Sequence, residues 1–142
     1  MKIGYTGGVY DLLHVGHLSI FKNAKEQCDY LIVGVNSDEL VRDYKSKTPA
    51  VPLEERIELV EAIKYVDKVI PRHDLEKVQF AIDNKIDIVF IGSDWKGNER
   101  WARDEAELNK YGIELVYLPL RNKECLSTTK IIHKIQSWRP IS

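Results

Sequence analysis

The chain lacks long apolar runs, a signal-peptide pattern and a strong net charge, and each of these absences argues against one class of protein. No apolar run approaches the roughly 18 residues that a membrane-spanning helix needs. The opening residues Met1–Tyr5 lead directly into a strand-like run, so we expect no signal peptide. The net charge is only −1, so the composition gives no basic footprint of a nucleic-acid-binding protein. We therefore expect a cytoplasmic protein that acts without a membrane or a nucleic acid.

Cysteine is also scarce. The chain has 2 cysteines, Cys28 and Cys125, and their wide separation matches neither a metal-binding nor a redox motif. We expect free thiols in a reducing compartment. Repeats, linkers and low-complexity tracts are absent from the sequence, and 142 residues are enough to bury one hydrophobic core. The sequence therefore predicts a single domain over residues 1–142.

What the chain does contain is an alternation of short apolar runs and longer amphipathic segments. Tyr30–Val35 and Ile86–Ile91 are almost continuously apolar, which is typical of strands buried on both faces. The predicted strands are Ile3–Thr6, Tyr30–Val35, Lys68–Ile70, Ile86–Ile91 and Glu114–Leu118. The predicted helices are Leu18–Gln27, Pro52–Ile63, Leu75–Asn84, Trp101–Tyr111 and Ser127–Trp138.

Strands and helices that alternate at this spacing predict an α/β fold, with a parallel five-stranded sheet and helices on both faces. Ligands of such sheets bind at the carboxyl ends of the strands, near the point where the strand order reverses. Polar segments follow three of the predicted strands, at residues 14–17, 92–95 and 121–129. We expect these three segments to meet at one edge of the sheet.

The most informative segment follows the first predicted strand and contains His14, Gly16 and His17. Residues three apart share a face in the first turn of a helix, where backbone N–H groups lack partners and the dipole favours negative charge. Two imidazoles, a glycine that permits close approach and unpaired amides fit a polyphosphate. A zinc pair is the alternative for the histidines, but no third ligand stands at metal spacing.

Two further segments carry groups that suit phosphate oxygens. Ser127, Thr128 and Thr129 open the last predicted helix, where hydroxyl and N–H groups can bind an anion. A serine cap followed by two bystander threonines is the alternative. Lys45 and Lys47 lie in a polar stretch before Pro49, and they are either phosphate ligands or ordinary solvated lysines.

Two of these segments resemble motifs of one enzyme superfamily. Asp11–His17 resembles the His-x-Gly-His motif of the nucleotidyltransferases, and Leu126–Ile131 is similar to their Ile-Ser-Thr-Thr-x-Ile motif. Either motif alone is moderately specific, whereas the pair is specific. Within the superfamily, nearly the whole chain resembles the glycerol-3-phosphate cytidylyltransferases, including Gly92–Trp95 and the pair Lys45 and Lys47 ahead of Arg56.

The resemblance implies a Rossmann-like fold and an enzyme that transfers CMP from CTP to glycerol 3-phosphate by direct in-line attack, with release of pyrophosphate. It also implies Mg²⁺ or another divalent cation, and a homodimer. The alternatives are another phosphoalcohol acceptor (phosphocholine, phosphoethanolamine or ribitol 5-phosphate), ATP in place of CTP, and a nucleotide-binding module without catalysis.

The resemblance also assigns roles to individual residues. The catalytic candidates are His14, His17, Lys45 and Arg121. The nucleotide-binding candidates are Gly8, Val9, Tyr10, Asp11, Gly16, Gly92, Asp94, Ser127, Thr128 and Thr129. The substrate-binding candidates are Asp38, Lys47, Arg56 and Trp95, and Asp11 is the candidate metal ligand.

The chain departs from the family pattern at two places. Val9 stands where the family usually has threonine, so a hydroxyl contact with the nucleotide is lost there. The segment Arg121–Ser127 is one residue longer than the family's Arg-Thr-x-Gly-Ile-Ser run and lacks its glycine. We therefore expect the loop that holds the base and the phosphates to have a different shape.

Overall fold

The computed structural model describes residues 1–119 and 127–138, and these residues contain one all-parallel sheet. Its strands are β1 (Ile3–Gly8), β2 (Tyr30–Asn36), β3 (Lys68–Arg72), β4 (Ile88–Gly92) and β5 (Glu114–Leu118). Their order is β3-β2-β1-β4-β5, so the direction of the winding reverses between β1 and β4. The five-stranded parallel sheet that the sequence predicts is confirmed, and its switch point lies at the end of β1.

Helices connect the strands. They are α1 (Val15–Glu26), α2 (Asp38–Lys45), α3 (Leu53–Glu61), α4 (Val78–Asp83), α5 (Glu99–Lys110) and α6 (Thr128–Ser137). A 3₁₀ turn, Ser93–Trp95, follows β4 directly. Over the described part of the chain, none of the helices has the length and apolar character that crossing a bilayer demands.

Both faces of the sheet are covered, as predicted. Successive side chains of a strand point to opposite faces, so Leu31 and Val33 of β2 pack in one core cluster with residues of α1 and α3. Ile32, between them, packs in a second cluster with Ala81 of α4 and Leu108 of α5. This burial on two sides is the reason why β2 reads as a continuous apolar run.

The first helix begins earlier than predicted. It starts at Val15 rather than Leu18, because His14 serves as its N-cap with extended backbone angles of φ −144° and ψ 176°. The His14 side chain accepts a hydrogen bond from the Gly16 N–H. Serine, threonine, aspartate and asparagine are the preferred N-cap residues, so a histidine cap gives little signal in a sequence.

The structure adds a helix that the sequence analysis did not predict. Helix α2 follows Ser37, whose hydroxyl oxygen accepts a hydrogen bond from the Leu40 N–H at 3.2 Å. It ends at Lys45, because Ser46 adopts the left-handed conformation at φ 55°. Lys45 is therefore held by a helix end, whereas Lys47 lies in the loop that follows.

Strand β3 also runs further than predicted. It continues from Ile70 through Pro71 to Arg72, since it is an edge strand, where the missing N–H of a proline is tolerated. The extension carries Arg72 to the carboxyl edge of the sheet.

Helix α4 is shorter than predicted. The Asp74 carboxylate accepts a hydrogen bond from the Glu76 N–H, in the turn before the helix. The Glu76 carboxylate accepts from the N–H groups of Gln79 and Phe80. The Glu76 side chain, one residue before the N-cap Lys77, therefore accepts from the free N–H groups at the start of this helix.

Candidate active site

A cavity of about 870 Å³ opens at the carboxyl edge of the sheet, where the switch-point rule places a ligand. The ends of β1, β3 and β4, the first turns of α1 and α6, and the end of α2 contribute to its walls. The candidate residues that line it are Gly8, Val9, Tyr10, Asp11, His14, Gly16, His17, Lys45, Lys47, Gly92, Asp94, Trp95, Ser127, Thr128 and Thr129. Arg121 lies outside the described residues.

The two motif histidines hold each other in place through the backbone at the start of α1. The Nδ1 atom of His14 accepts from the Gly16 N–H at 3.0 Å, and the Nδ1 atom of His17 accepts from the His14 N–H at 3.3 Å. Their ring centroids lie 3.9 Å apart. Because each Nδ1 is an acceptor, the proton of each neutral ring resides on Nε2. Both residues can therefore donate from Nε2–H to a ligand in the cavity.

The surroundings keep both rings neutral. Burial lowers the pKa of His14 below its usual 6.5. Burial lowers the pKa of His17 to about 4, with a further lowering by the charge of His14 and an opposing effect of Asp11. Near pH 7, each ring is consequently a neutral hydrogen-bond donor.

Tyr10 fixes the orientation of the second histidine. Its ring is buried, and it meets the His17 ring edge-on at a centroid distance of 5.4 Å and an angle of 78°. Tyr10 and Leu12 have φ values of 55° and 53°, a conformation that non-glycine residues rarely adopt. Such backbone strain clusters at functional sites, where the surrounding structure stabilises it.

Asp11 connects the motif to two other parts of the cavity wall. Its carboxylate oxygens accept hydrogen bonds from the N–H groups of Ala50 and Val51 at 2.8 and 3.0 Å. Its backbone carbonyl accepts from the Thr128 hydroxyl at 2.8 Å. The Asp11 side chain therefore orients the loop behind Lys47, and its backbone ties α6 to the β1–α1 turn.

The structure shows Asp11 as an anchor of the loop, and its role as a metal ligand stays a prediction. Both of its carboxylate oxygens already serve the backbone of the loop. Within residues 1–119 and 127–138, no group of three or more His, Cys, Asp or Glu side chains is placed to hold a metal ion. A Mg²⁺ ion bound with a nucleotide would need only one or two carboxylates from the protein, and Asp11 lines the cavity.

The structure corrects the substrate-binding roles expected of Arg56 and Asp38. The Arg56 side chain is 0% exposed, and neither residue lines the cavity. Its Nε donates to the Val51 carbonyl at 2.8 Å, and Nη1 donates to the carbonyls of Val9 and Asn36 at 2.7 Å each. Its Nη2 donates to the Asp38 carboxylate. The guanidinium is therefore fully occupied in joining three loops, and a substrate phosphate has no access to it.

Two lysines supply positive charge on one side of the cavity. Burial lowers the pKa of Lys45, and the neighbouring charge of Lys47 lowers it further. Both line the cavity. A bound anion would relieve the repulsion between the two ammonium groups, so this wall favours a negatively charged ligand.

The start of α6 contributes a helix N-terminus. The Ser127 hydroxyl oxygen accepts from the Lys130 N–H at 3.1 Å, which confirms the predicted cap. The Thr128 hydroxyl is engaged with Asp11, whereas Thr129 is exposed in the cavity wall. Of the three hydroxyls, that of Thr129 is the one placed for a ligand.

The 3₁₀ turn after β4 forms another part of the wall. Trp95 is 47% exposed, so its indole is a wall of the cavity rather than a core side chain. Asp94 is exposed beside it, and Gly92 lies beneath. At Gly8, a Cβ atom would lie 3.0 Å from the Tyr10 ring, so glycine leaves room for that ring.

The cavity also contains residues to which the sequence analysis gave no role. They include Tyr5, Asn36, Tyr44, Arg72, Lys77, Asn98, Arg100 and Trp101. Arg72 escaped because Pro71 ends the predicted strand early. Arg72 could have been predicted at the end of β3 by allowing the strand to continue through Pro71, because proline is tolerated in an edge strand.

The family model described as cytidylyltransferase-like matches residues 5–134. The chain belongs to the cytidylyltransferase-like family. This assignment confirms the resemblance drawn from the two motifs.

Individual relatives of this cytidylyltransferase-like chain carry two different activities. It is 40% identical over 136 residues to glycerol-3-phosphate cytidylyltransferase of Bacillus subtilis (strain 168), a match that spans 95% of this chain and 98% of the relative. It is 42% identical over 137 residues to FAD synthase of Thermococcus kodakarensis, with 92% of this chain and 89% of the relative covered.

A solved structure matches the same fold. The lipopolysaccharide core biosynthesis protein of Thermoplasma volcanium GSS1 superposes with a TM-score of 0.72 at 31% identity, over 87% of this chain and 99% of that one. Together the matches show that this cytidylyltransferase-like chain is a nucleotidyltransferase with a Rossmann-like α/β fold.

Proposed function

We propose that this chain transfers CMP from CTP to glycerol 3-phosphate, with CDP-glycerol and pyrophosphate as products. The observation that carries the proposal is the pair of neutral Nε2–H donors of His14 and His17 in a cavity that Lys45 and Lys47 make electropositive. The similarity to the Bacillus subtilis glycerol-3-phosphate cytidylyltransferase supports both substrates.

The proposed reaction needs positioning rather than covalent catalysis. An oxygen of the acceptor phosphate attacks the α-phosphorus of CTP, and the bond from that phosphorus to the bridging oxygen breaks on the opposite side. Negative charge develops on the oxygens of the transferring group and on the leaving pyrophosphate. His14 and His17 donate hydrogen bonds to these oxygens, and their fixed tautomers mean that no reorganisation is needed as the charge builds.

The other cavity groups stabilise the leaving pyrophosphate in this proposal. Lys45 and Lys47 neutralise its charge, and the N-terminus of α6 with the Thr129 hydroxyl binds its terminal oxygens. Arg121, outside the described residues, remains a candidate for the same role on the strength of its motif.

We propose that Mg²⁺ enters with CTP. When bound, the ion supplies charge neutralisation on the phosphate oxygens. Mg²⁺ in nucleotide sites is commonly held by phosphate oxygens, water and one or two carboxylates, and Asp11, which lines the cavity, is the proposed carboxylate. None of the residue roles above passes through the ion. The homodimer that the resemblance implies is likewise a proposal, tested by the molar mass in solution.

A second candidate is adenylyl transfer. The Thermococcus kodakarensis relative is an FAD synthase, and FAD contains an AMP unit, so ATP and FMN are the corresponding substrates. The exposed Trp95 and half-buried Trp101 in the cavity wall provide aromatic surface for a flavin ring.

The deciding experiment measures pyrophosphate release with Mg²⁺. CTP, ATP, UTP and GTP are each combined with glycerol 3-phosphate, phosphocholine, phosphoethanolamine, ribitol 5-phosphate and FMN. Turnover of CTP with glycerol 3-phosphate alone is the expected result. Turnover of ATP with FMN would establish the second candidate, and release with CTP and another acceptor would keep the mechanism and change the substrate.

A further inference from the structure

Arg72 ends β3, and its side chain lies inside the cavity rather than in solvent. The residue is 7% exposed and lines the cavity. Its guanidinium carbon lies 3.7 Å from the centroid of the Phe80 ring, so the charged group rests on an aromatic face. A Cβ at Gly34 would lie 2.9 Å from the Arg72 Cγ, and the glycine thus makes room for this side chain to cross β2.

Only part of the hydrogen-bonding capacity of the Arg72 guanidinium is used within the described residues. Nη2 donates to the Glu76 carbonyl and lies 3.5 Å from the Asp74 carbonyl. Nη1 is buried and has no hydrogen-bond partner among the described residues. The Tyr5 hydroxyl lies beside the group, but a hydroxyl does not neutralise a charge. At least one N–H-bearing nitrogen of Arg72 therefore lacks an acceptor.

The charge of Arg72 is also poorly compensated. Arginine does not lose its proton in a protein, and a buried charge is normally paired. The nearest carboxylate, that of Asp74, lies 3.4 Å from Nη2 and is 73% exposed, which makes a weak, solvent-screened pair. By contrast, neighbouring Lys77 lies 3.1 Å from the Asp104 carboxylate, at 17% and 26% side-chain exposure. Arg72 is thus a buried cation of the cavity whose carboxylate partner is weak and exposed.

We propose that Arg72 binds the phosphate group of the acceptor substrate through Nη1. In the proposed function, the histidines, the two lysines Lys45 and Lys47 and the N-terminus of α6 bind the triphosphate of the nucleotide. Arg72 lines the same cavity from the end of β3, a strand that carries none of those groups. The anion site follows from the geometry of Arg72, whereas its assignment to the acceptor rests on the proposed function.

The test compares Arg72→Gln and Arg72→Lys with Arg103→Gln. Arg103 is exposed on α5 and does not line the cavity, so its substitution makes the same change in net charge elsewhere. Charged hydrogen bonds to phosphate are strong, so we expect Arg72→Gln to raise the KM for glycerol 3-phosphate roughly tenfold to hundredfold and to leave the KM for CTP within about twofold. We expect Arg72→Lys to recover part of the loss, and Arg103→Gln to behave as the wild type.

A second measurement separates this proposal from the proposed function. In thermal melts, we expect glycerol 3-phosphate and inorganic phosphate, but not glycerol, to raise the Tm of the wild type and of Arg103→Gln equally, and that of Arg72→Gln by clearly less. If no acceptor supports turnover, the proposed function fails, and this pattern would still establish the anion site. An equal rise in both KM values, an unchanged KM for the acceptor, or a phosphate-dependent rise in Tm that is as large in Arg72→Gln as in the wild type would overturn the role of Arg72.

Discussion

His14 performs two tasks with two different nitrogens, and one substitution can separate them. Its Nδ1 caps α1 by accepting from the Gly16 N–H at 3.0 Å, whereas its Nε2–H is directed to the ligand in our account. In His14→Asn, the Oδ1 atom replaces the capping acceptor, because asparagine is a favoured N-cap residue, but nothing replaces Nε2. In His14→Ala, both groups are lost.

The two losses have different sizes and appear in different assays. A lost cap costs about 1 kcal/mol of stability, and a lost transition-state donor costs roughly 10²–10³ in kcat. We therefore expect the free energy of unfolding of His14→Asn to lie within about 0.5 kcal/mol of the wild-type value, and its kcat to be at least about 100-fold lower. We expect His14→Ala to show the same loss in kcat and, in addition, about 1 kcal/mol of destabilisation.

Urea denaturation followed by circular dichroism gives the stability, and pyrophosphate release at saturating substrates gives kcat. His133→Asn is the matched control, since His133 is exposed on α6 and does not line the cavity. Wild-type kcat in His14→Asn would refute the role of the Nε2–H donor. Destabilisation of His14→Asn equal to that of His14→Ala would refute the capping argument.

Three further predictions concern the groups around the motif. Since the pKa of His17 is lowered from 6.5 to about 4, the unfolded chain takes up the proton first. The free energy of unfolding should therefore fall by up to about 3 kcal/mol between pH 6.5 and 4, and His17→Gln should flatten this profile in urea titrations. Arg56→Met should lower the free energy of unfolding by about 3–5 kcal/mol in the same assay, because three carbonyls and a carboxylate lose their hydrogen-bond donor. An unchanged free energy of unfolding would contradict the role of Arg56 in joining the loops. In Asp11→Asn, the side-chain amide N–H faces the backbone N–H of Ala50 or Val51, so one hydrogen bond is lost. The loop after Lys47 should therefore become sensitive to protease, and the KM for CTP should rise about tenfold. Unchanged kinetics would show that this loop needs no anchor.

Much of the fold is readable from the sequence because its strongest signals are local. Strands β2 and β4 are buried on both faces, so their apolar runs are continuous and easily seen. The position of the cavity follows from the rule for parallel sheets, and the histidine and Ser-Thr-Thr segments indeed meet there.

The failures concern residues whose role depends on distant partners. The family resemblance assigned Arg56 to substrate binding, and nothing in the neighbouring sequence shows that its guanidinium donates to the carbonyls of Val9 and Asn36. Arg72 was missed because its position depends on a strand that continues through Pro71 and on the space left at Gly34. Such long-range arrangements leave no periodic trace in the sequence.

The most direct test of the account is ³¹P NMR of the wild-type protein and of His14→Asn with CTP, glycerol 3-phosphate and Mg²⁺. The account predicts that the wild type converts the CTP and glycerol 3-phosphate signals into those of a CDP-alcohol diphosphate and pyrophosphate, while His14→Asn remains folded and forms product at a small fraction of that rate. Absence of the diphosphate signals with the wild type, or equal rates for both proteins, would contradict it.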